Sequence, residues 1–266
     1  MTTNTTSAGR LAISDSGTTL HIGIDNPARF NAMSLSMWEA MADAVQSAQS
    51  RTDLRAIVLE GKGDRAFVSG ADISEFAERR SDANGVARYD KAVANAQQAL
   101  STSSIPTIAL VRGVCMGGGL GLALACDLRY CSESARFRMP AGRLGLGYSL
   151  VGVRRMREIL GAARTTDLFL TARMFDGLEA GRIGVVHEVF KDTEFAAKSA
   201  ERVDTVASNA PLTLRAARLA LRHLDGDPNV SEQSVDDAVR ACFDSEDYRE
   251  GQAAFREKRK PQFRAR

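Results

Sequence analysis

Two glycine-marked turns carry the residues that are best placed to do chemistry. The first lies in FVSGADI, residues 67–73, and the second in GVCMGGGLGLALACD, residues 113–127. Each follows an apolar run typical of a strand, and the second leads into small and apolar residues typical of a helix. The first N–H groups of a helix have no partner within the helix and favour negative charge. We therefore expect backbone N–H groups after Gly70 and around Gly118 to face an oxygen of a ligand.

A phosphate cradle does not fit these turns. A Walker loop requires a lysine and a serine or threonine after its last glycine, whereas Gly119 is followed by Leu120. A dinucleotide fingerprint requires G-x-G-x-x-G, and Leu122 stands in the place of its third glycine. The remaining alternative to a ligand site is that the glycines only allow a helix to pack tightly.

Together the two segments resemble the motifs F-x-x-G-x-D-[IL] and G-x-x-x-G-G-G-x-x-[LI]-x-x-x-C-D of the crotonase family, the enoyl-CoA hydratases and isomerases. The resemblance continues through residues 26–34, 175–189 and 255–263, so it covers nearly the whole chain. It implies an α/β fold, a crotonase-like ββα spiral with a C-terminal helical trimerisation region. It also implies a homotrimer or a dimer of trimers.

The resemblance implies that the N–H groups of Ala71 and Gly118 form an oxyanion hole. Such donors stabilise the negative charge that appears on a thioester oxygen when an enolate forms. The substrate would be an acyl ester of coenzyme A, with no cofactor bound permanently. Contacts to coenzyme A are implied at the following residues, the last three from the tail of a neighbouring subunit: Arg29, Ala71, Asp72, Ile73, Phe255, Lys258 and Lys260. Taken alone, Arg29 and the two lysines would equally suit a solvated surface.

The chain departs from the family where the hydratases carry two glutamates. The first glutamate position is Gly121, and the second, after the proline of FRMPA, is Ala141. Neither residue can move a proton, which argues against hydration and isomerisation. Tyr148 stands where the methylmalonyl-CoA decarboxylases of this family have a tyrosine, although those enzymes have histidine in place of Ala71. Tyr148 is either a donor to the substrate or a pocket-lining residue whose hydroxyl bonds to the backbone.

Three functions remain open after these comparisons of position. Loss of CO2 produces an enolate directly, with no need for a general base. Decarboxylation, or another enolate reaction that needs no glutamate, is therefore favoured. The chain is accordingly expected to be a lyase. An enoyl-CoA hydratase/isomerase of fatty-acid or amino-acid breakdown would need other acid–base groups, such as Glu75 or Tyr148. A non-catalytic acyl-CoA-binding protein would keep the oxyanion hole alone.

The elements that would position these residues alternate between strands and helices. Residues 11–14 and 18–24 alternate apolar and polar side chains about a turn, which predicts a hairpin. Further strands are expected at residues 56–59, 107–111 and 128–131, and helices from about Ser36 and near residues 87–100. This rhythm is typical of an α/β fold with mostly parallel strands.

Beyond about residue 192 the pattern is wholly helical, with a further helical run over residues 236–255. Its apolar stripe, which we expect to pack on a neighbouring subunit, consists of Leu214, Ala217, Leu221 and Leu224. We divide the chain into a disordered N-terminus (1–10), a ββα spiral acyl-CoA-binding core (11–200) and a helical oligomerisation region (201–266).

Composition restricts the partners of the chain. A net charge of +2 over 266 residues, with 26% charged side chains, gives no clustered basic face for nucleic acid. No run of 18 apolar residues predicts a membrane span. The four cysteines lack the spacing of metal ligands, which predicts no metal site and a reducing, cytoplasmic compartment. His21, His187 and His223 lie outside both motifs and are predicted to be structural, and Asp127 is predicted to organise a helix end.

Overall fold

The computed structural model of the protein describes residues 9–72 and 83–266, so Ile73 and Glu75 lie outside the described residues. The strands are β1 (Arg10–Asp15), β2 (Thr19–Asp25), β3 (Ala56–Gly61), β4 (Ala66–Val68), β5 (Thr107–Val111), β6 (Val114–Met116), β7 (Leu128–Ser132), β8 (Arg136–Arg138), β9 (Met174–Asp176) and β10 (Glu188–Phe190). They form a six-stranded sheet in the order β1-β2-β3-β5-β7-β10 and a four-stranded sheet in the order β4-β6-β8-β9.

The large sheet begins with the predicted hairpin. β1 and β2 pair in antiparallel fashion, with Asp15 opposite Leu20. From β2 onward the neighbouring strands of this sheet are parallel. The mixed sheet and its helices confirm the α/β fold class.

Successive strand pairs build the two sheets together. In each of the pairs β3–β4, β5–β6 and β7–β8, the first strand joins the large sheet and the second joins the small one. β4, β6 and β8 are parallel to one another, and β9 closes the small sheet in antiparallel pairing with β8. Helices follow the strand pairs, which is the ββα spiral that the resemblance implies.

Several helices begin where the sequence supplies a side-chain cap. Ser34 accepts a hydrogen bond from the N–H of Met37, so the first helix begins at Leu35. Ser245 caps a second start in the same way, and the predicted run over residues 236–255 is therefore two helices. The described helices are α1 (Leu35–Ala48), α2 (Ala83–Thr102), α3 (Gly118–Ala125), α4 (Ala141–Leu144), α5 (Leu150–Thr171, interrupted at Gly161), α6 (Gly177–Ile183), α7 (Phe195–Ala207), α8 (Pro211–Leu224), α9 (Glu232–Asp244) and α10 (Glu246–Glu257).

The core lies between the sheets and the helices that cover them. Trp38 of α1 and Phe67 of β4 are fully buried in it. Cys115, Cys126 and Cys131 are buried as well, and burial raises the pKa of each thiol above its usual value. These three side chains therefore stay protonated and pack as small hydrophobic groups.

Helix α8 fastens the C-terminal helices to the body of the same chain. Arg218 is buried, its Nε donates to the carbonyl of Ser103 at 2.8 Å, and its guanidinium pairs with Asp127. Asp127 also accepts from the N–H and the hydroxyl of Thr107 at 2.6 and 2.9 Å, so it organises the region after α3. The predicted apolar stripe lies on another face of α8, where Leu224 is 79% exposed.

Two of the histidines hold backbone groups. The N–H of Arg129 donates to Nδ1 of His187 at 3.1 Å, and burial lowers the pKa of this imidazole. Nδ1 of His223 lies 2.9 Å from the carbonyl oxygen of Val230. The part of the chain that the structure describes contains no cluster of three side chains suited to a metal ion. No described helix has both the length and the apolar character to cross a bilayer.

Candidate active site

The first glycine turn directs the N–H of Ala71 away from the adjacent segment that contains Met33. Gly70 has a φ of 122°, a region that favours glycine. The N–H of Met33 donates to the carbonyl of Gly70, and the N–H of Asp72 donates to the carbonyl of Met33, both at 2.9 Å. Successive N–H groups of an extended chain point to opposite sides, so the N–H of Ala71 faces away from Met33. It donates to no group among the described residues.

The second glycine turn frees the N–H of Gly118. Gly117 has a φ of 51°, and its N–H donates to the carbonyl of Arg138 at 3.0 Å. Helix α3 begins at the next residue, so the N–H of Gly118 has no partner within the helix. Elsewhere in residues 9–72 and 83–266 it finds no acceptor either. The positive end of the helix therefore carries an available donor.

The two free N–H groups lie at the same level of adjoining strands. Val68 of β4 pairs with Cys115 of β6, and three residues further along each chain stand Ala71 and Gly118. The segments stay in contact beyond the strands, since a Cβ on Gly70 would lie 3.5 Å from the carbonyl oxygen of Met116. This arrangement brings together the two positions that the sequence predicts as an oxyanion hole.

A buried hydrogen-bond relay supports both turns. The indole Nε1 of Trp38 donates to the hydroxyl of Tyr89 at 3.0 Å, and that hydroxyl donates to the carbonyl of Met33 at 2.8 Å. Met33 in turn holds the segment of Ala71. The same Trp38 ring faces the second turn, because a Cβ on Gly118 would lie 3.1 Å from its Cζ2. Trp38 and Tyr89 therefore link α1 and α2 to both candidate donors.

Arg29 and Asp72, two predicted coenzyme A contacts, form an ion pair. Nη1 of Arg29 lies 2.8 and 2.7 Å from the two carboxylate oxygens of Asp72. The Asp72 side chain is mostly buried, whereas the Arg29 side chain remains 46% exposed. Asp72 thus fixes the guanidinium beside the first turn, and the exposed part of Arg29 faces solvent.

The predicted contacts of the C-terminal tail lie on the surface of α10 and the segment after it. Phe255 is 86% exposed, Lys258 ends the helix with a φ of 53°, and Lys260 is exposed. No hydrogen bond or ion pair in the described residues joins these three side chains to the glycine turns. The tail returns to its own helix, where Arg259 pairs with Glu250 at 2.6 Å.

The first glutamate position is bare and framed by two polar side chains. A Cβ on Gly121 would lie 2.6 Å from Nε2 of Gln97 and 2.8 Å from the hydroxyl oxygen of Tyr148. The second position, Ala141, is buried at the start of α4 directly after Pro140. Pro140 lies beside the second turn, 3.6 Å from where a Cβ of Gly117 would be. Both positions therefore adjoin the candidate donors, and neither carries an acid or a base.

Tyr148 presents a neutral phenol to this place. Its ring packs edge-on against Phe169 with the centroids 5.2 Å apart, and a Cβ on Gly152 would overlap it. Burial raises the pKa of Tyr148 to about 12, and the charge of Arg155 opposes this only in part. The hydroxyl makes no hydrogen bond to any described residue, so it is not satisfied by the backbone. A protonated, unengaged donor thus lies next to Gly121.

Sequence reasoning missed Trp38, Tyr89, Gln97 and Arg155. They lie in α1, α2 and α5, outside the glycine motifs. Trp38 and Tyr89 lie within helical patterns, and nothing in the sequence links these two residues to the glycine turns. Gln97 offers no signal at all, because its position beside Gly121 depends on the packing of α2 against α3.

A spiral of ββα repeats with two free N–H groups at adjoining strand ends defines the crotonase class of fold. The sequence matches the enoyl-CoA hydratase/isomerase family over residues 15–266, and the chain belongs to that family of acyl-CoA enzymes. A short-chain-enoyl-CoA hydratase of Clostridium acetobutylicum is 30% identical over 90% of this chain and 91% of its own length. A peroxisomal Delta(3,5)-Delta(2,4)-dienoyl-CoA isomerase of Arabidopsis thaliana is 31% identical over 91% of each chain.

The structure of an enoyl-CoA hydratase/carnithine racemase from Magnetospirillum magneticum superposes on this fold with a TM-score of 0.92. The two proteins are 32% identical, and the match covers 98% of this chain and 97% of the other. The likeness therefore includes the C-terminal helices as well as the spiral.

Replacement of Tyr89 by phenylalanine should destabilise the fold at the first turn. The change removes the donor to Met33 and the acceptor for Trp38, and leaving buried polar groups unpaired costs about 1–3 kcal/mol each. We expect urea denaturation to give a free energy of unfolding lower by about 1–3 kcal/mol for each of these two groups. Tyr248→Phe is the matched control, since Tyr248 is exposed and its hydroxyl bonds to no described residue. Equal stabilities of the two variants would contradict the relay.

Proposed function

We propose that the chain binds the thioester carbonyl of an acyl-CoA between the N–H groups of Ala71 and Gly118 and stabilises the enolate derived from it. The observation that carries this proposal is the pair of unpartnered N–H groups, three residues beyond the paired Val68 and Cys115. Fixed donors of this kind act on the charge that develops during reaction, and losing one typically costs about 100- to 1000-fold in rate.

We further propose that the enolate forms by decarboxylation. In this step the bond between the α-carbon and a carboxylate carbon breaks, CO2 leaves, and the electron pair of the bond enters the enolate. A proton from solvent or from Tyr148 then adds to the α-carbon, which gives the shortened acyl-CoA. No general base is required, in keeping with glycine and alanine at the two glutamate positions, Gly121 and Ala141. The chain would accordingly be a lyase.

Tyr148 is proposed to donate a hydrogen bond to the substrate. With a pKa raised to about 12, its phenol stays protonated at all ordinary pH values. It can orient a carboxylate before CO2 leaves, or supply the proton that the enolate takes up. Both roles need a donor at this place, and neither needs an ionised side chain.

Hydration or isomerisation is the second candidate, favoured by the names of the related proteins. A hydratase must activate water and protonate a carbon, which calls for groups that exchange protons near neutral pH. Next to Gly121 the described side chains are an amide and a phenol, Gln97 and Tyr148. This chain would therefore need an acid–base group from elsewhere.

Coenzyme A itself is proposed to bind near the Arg29–Asp72 pair and residue 73. Phe255, Lys258 and Lys260 would approach it from a neighbouring subunit, in a trimer or a dimer of trimers. The exposure of the two lysines on a single chain supports this role, since exposed cations suit phosphate groups. The four free cysteines support a reducing, cytoplasmic compartment.

A panel of thioesters tests the proposed reaction. We expect malonyl-CoA or methylmalonyl-CoA to lose CO2 in the presence of the protein, and crotonyl-CoA to be hydrated negligibly. Mass spectrometry of the coenzyme A esters, with detection of CO2, distinguishes the two products. Rapid hydration of crotonyl-CoA would contradict the decarboxylase assignment, and binding of every ester without turnover would favour an acyl-CoA-binding protein.

Replacement of Gly118 by proline tests the oxyanion hole. Proline is tolerated at the first residue of a helix but has no N–H, so one donor is lost without breaking α3. We expect turnover of the preferred ester to fall by about 100- to 1000-fold. Gly118→Ala is the matched control, because it places the same Cβ near Trp38 and keeps the N–H. If both variants lose activity equally, the N–H of Gly118 is not the catalytic donor.

Replacement of Tyr148 by phenylalanine tests the phenol. The ring keeps its contact with Phe169, and only the hydroxyl is deleted. We expect kcat on the preferred ester to fall by at least about tenfold, since general acid catalysis is worth about 100- to 10000-fold and an orienting bond less. Thermal stability should change little. Because the pKa of Tyr148 is raised to about 12, wild-type kcat should show no loss from this group up to about pH 10. Unchanged kcat in the folded variant would return Tyr148 to pocket lining.

A further inference from the structure

Two donors that have no acceptor lie against Gly121. Nε2 of Gln97 and the hydroxyl of Tyr148 both lie within 3 Å of the point where a side chain at this position would begin. Neither group makes a hydrogen bond to any residue that the structure describes. Gln97 as a whole is more than nine-tenths buried, but its amide atoms remain in reach of solvent and hence of a ligand. An amide that has no protein partner and is accessible from solvent can donate a hydrogen bond to a ligand.

Arg155 adds a third unsatisfied donor on the same side of α2. Its Nη2 donates to the hydroxyl of Ser101 at 3.0 Å, and Ser101 lies one helical turn after Gln97 on the same face. Its Nη1 is buried and has no acceptor in the described residues. Arg155 is close enough to Tyr148 for its positive charge to oppose, in part, the rise of the Tyr148 pKa that burial causes.

No described anion balances Arg155. Arg155 is in none of the ion pairs among the described residues. Glu158 forms no ion pair with it and has only a small effect on its pKa through its charge. The buried thiol of Cys126, whose pKa burial raises to about 12, is neutral as well. This corner of the site therefore has a positive potential and an excess of N–H and O–H groups.

We propose that Gln97, Tyr148 and Arg155 form a binding subsite for a carboxylate carried by the acyl group. A carboxylate accepts several hydrogen bonds, and its negative charge would balance the positive charge of Arg155. Hydratases place a glutamate, which accepts hydrogen bonds, at this position, whereas this subsite presents hydrogen-bond donors. It therefore recognises an anionic substrate instead of activating water. This inference rests on the proposed acyl-CoA function for the class of ligand, and it makes Gln97 a substrate-binding residue.

The neutral groups suit a carboxylate that must leave as CO2. The amide of Gln97 and the phenol of Tyr148 orient the anion through hydrogen bonds. A direct ion pair would stabilise the bound substrate more strongly and thereby raise the barrier to its reaction. Arg155, engaged with Ser101, contributes chiefly through its field.

Binding of two unreactive thioethers tests the subsite. S-(2-carboxyethyl)-coenzyme A has the skeleton of malonyl-CoA with a methylene in place of the thioester carbonyl, and S-(3-methylbutyl)-coenzyme A is its neutral counterpart of similar shape. Isothermal titration calorimetry should give a Kd at least about tenfold lower for the carboxylate, as expected for hydrogen bonds to a charged group. Because both ligands lack the carbonyl, the comparison does not depend on the oxyanion hole.

Gln97→Met should weaken binding of the carboxyethyl ligand by about tenfold and leave the affinity for the neutral ligand unchanged. Gln98→Met, the same substitution at an exposed position of α2, is the control and should change neither. Arg155→Met is the second variant and should reduce the same preference. Equal affinities of the wild type for the two ligands, or an equal loss for both in Gln97→Met, would overturn the subsite.

The same measurements separate the two proposals. Decarboxylation of malonyl-CoA without a preference for the carboxyethyl ligand would refute the subsite and leave the proposed function standing. A clear preference without turnover of any ester would support the subsite and refute the reaction. If neither thioether binds, the subsite and the coenzyme A ligand are refuted together.

Discussion

The site depends on a backbone approach that only glycine permits. A side chain on Gly119 would overlap the carbonyl of Val68, and one on Gly113 would overlap the carbonyl of Arg65. Bare backbone at these points lets the end of β4 lie directly against β6 and the start of α3. That contact sets Ala71 and Gly118 side by side and leaves both N–H groups without partners. The glycines are thus required by packing, and the same close approach leaves the two N–H groups that the proposed ligand site would use.

What could be predicted from the sequence is what local patterns encode. The hairpin, the strands and the glycine turns follow from alternation and from residues that favour a positive φ. The division of strand pairs between two sheets came from the resemblance, because no local pattern specifies it. Arg218 shows the limit most clearly, because this charged residue is buried on α8 while the apolar Leu224, on another face of the same helix, is exposed. Only its tertiary partners, the carbonyl of Ser103 and the carboxylate of Asp127, offset the desolvation cost of burying this charge.

The candidate site divides in the same way. The donors at Ala71 and Gly118 belong to the backbone, so a motif can predict them. The surroundings of Gly121 are formed by Gln97 from one helix and Tyr148 from a distant loop, and their meeting depends on how α2, α3 and α5 pack. The absence of a glutamate is visible in the sequence, whereas the nature of the groups that occupy its place is visible only in three dimensions.

The polarity of these groups bears on what the site can do. Donors lie at both ends of the candidate site, namely the N–H groups of Ala71 and Gly118 at one end and Nε2 of Gln97 and the phenol of Tyr148 at the other. A hydratase needs an acceptor at the second end, because it must remove a proton from water. In decarboxylation the negative charge begins on a carboxylate and ends on the thioester oxygen, so a donor is wanted at both places and no proton need move in the bond-breaking step. Hydrogen-bond donors at both ends therefore match a reaction in which charge, not a proton, crosses the site.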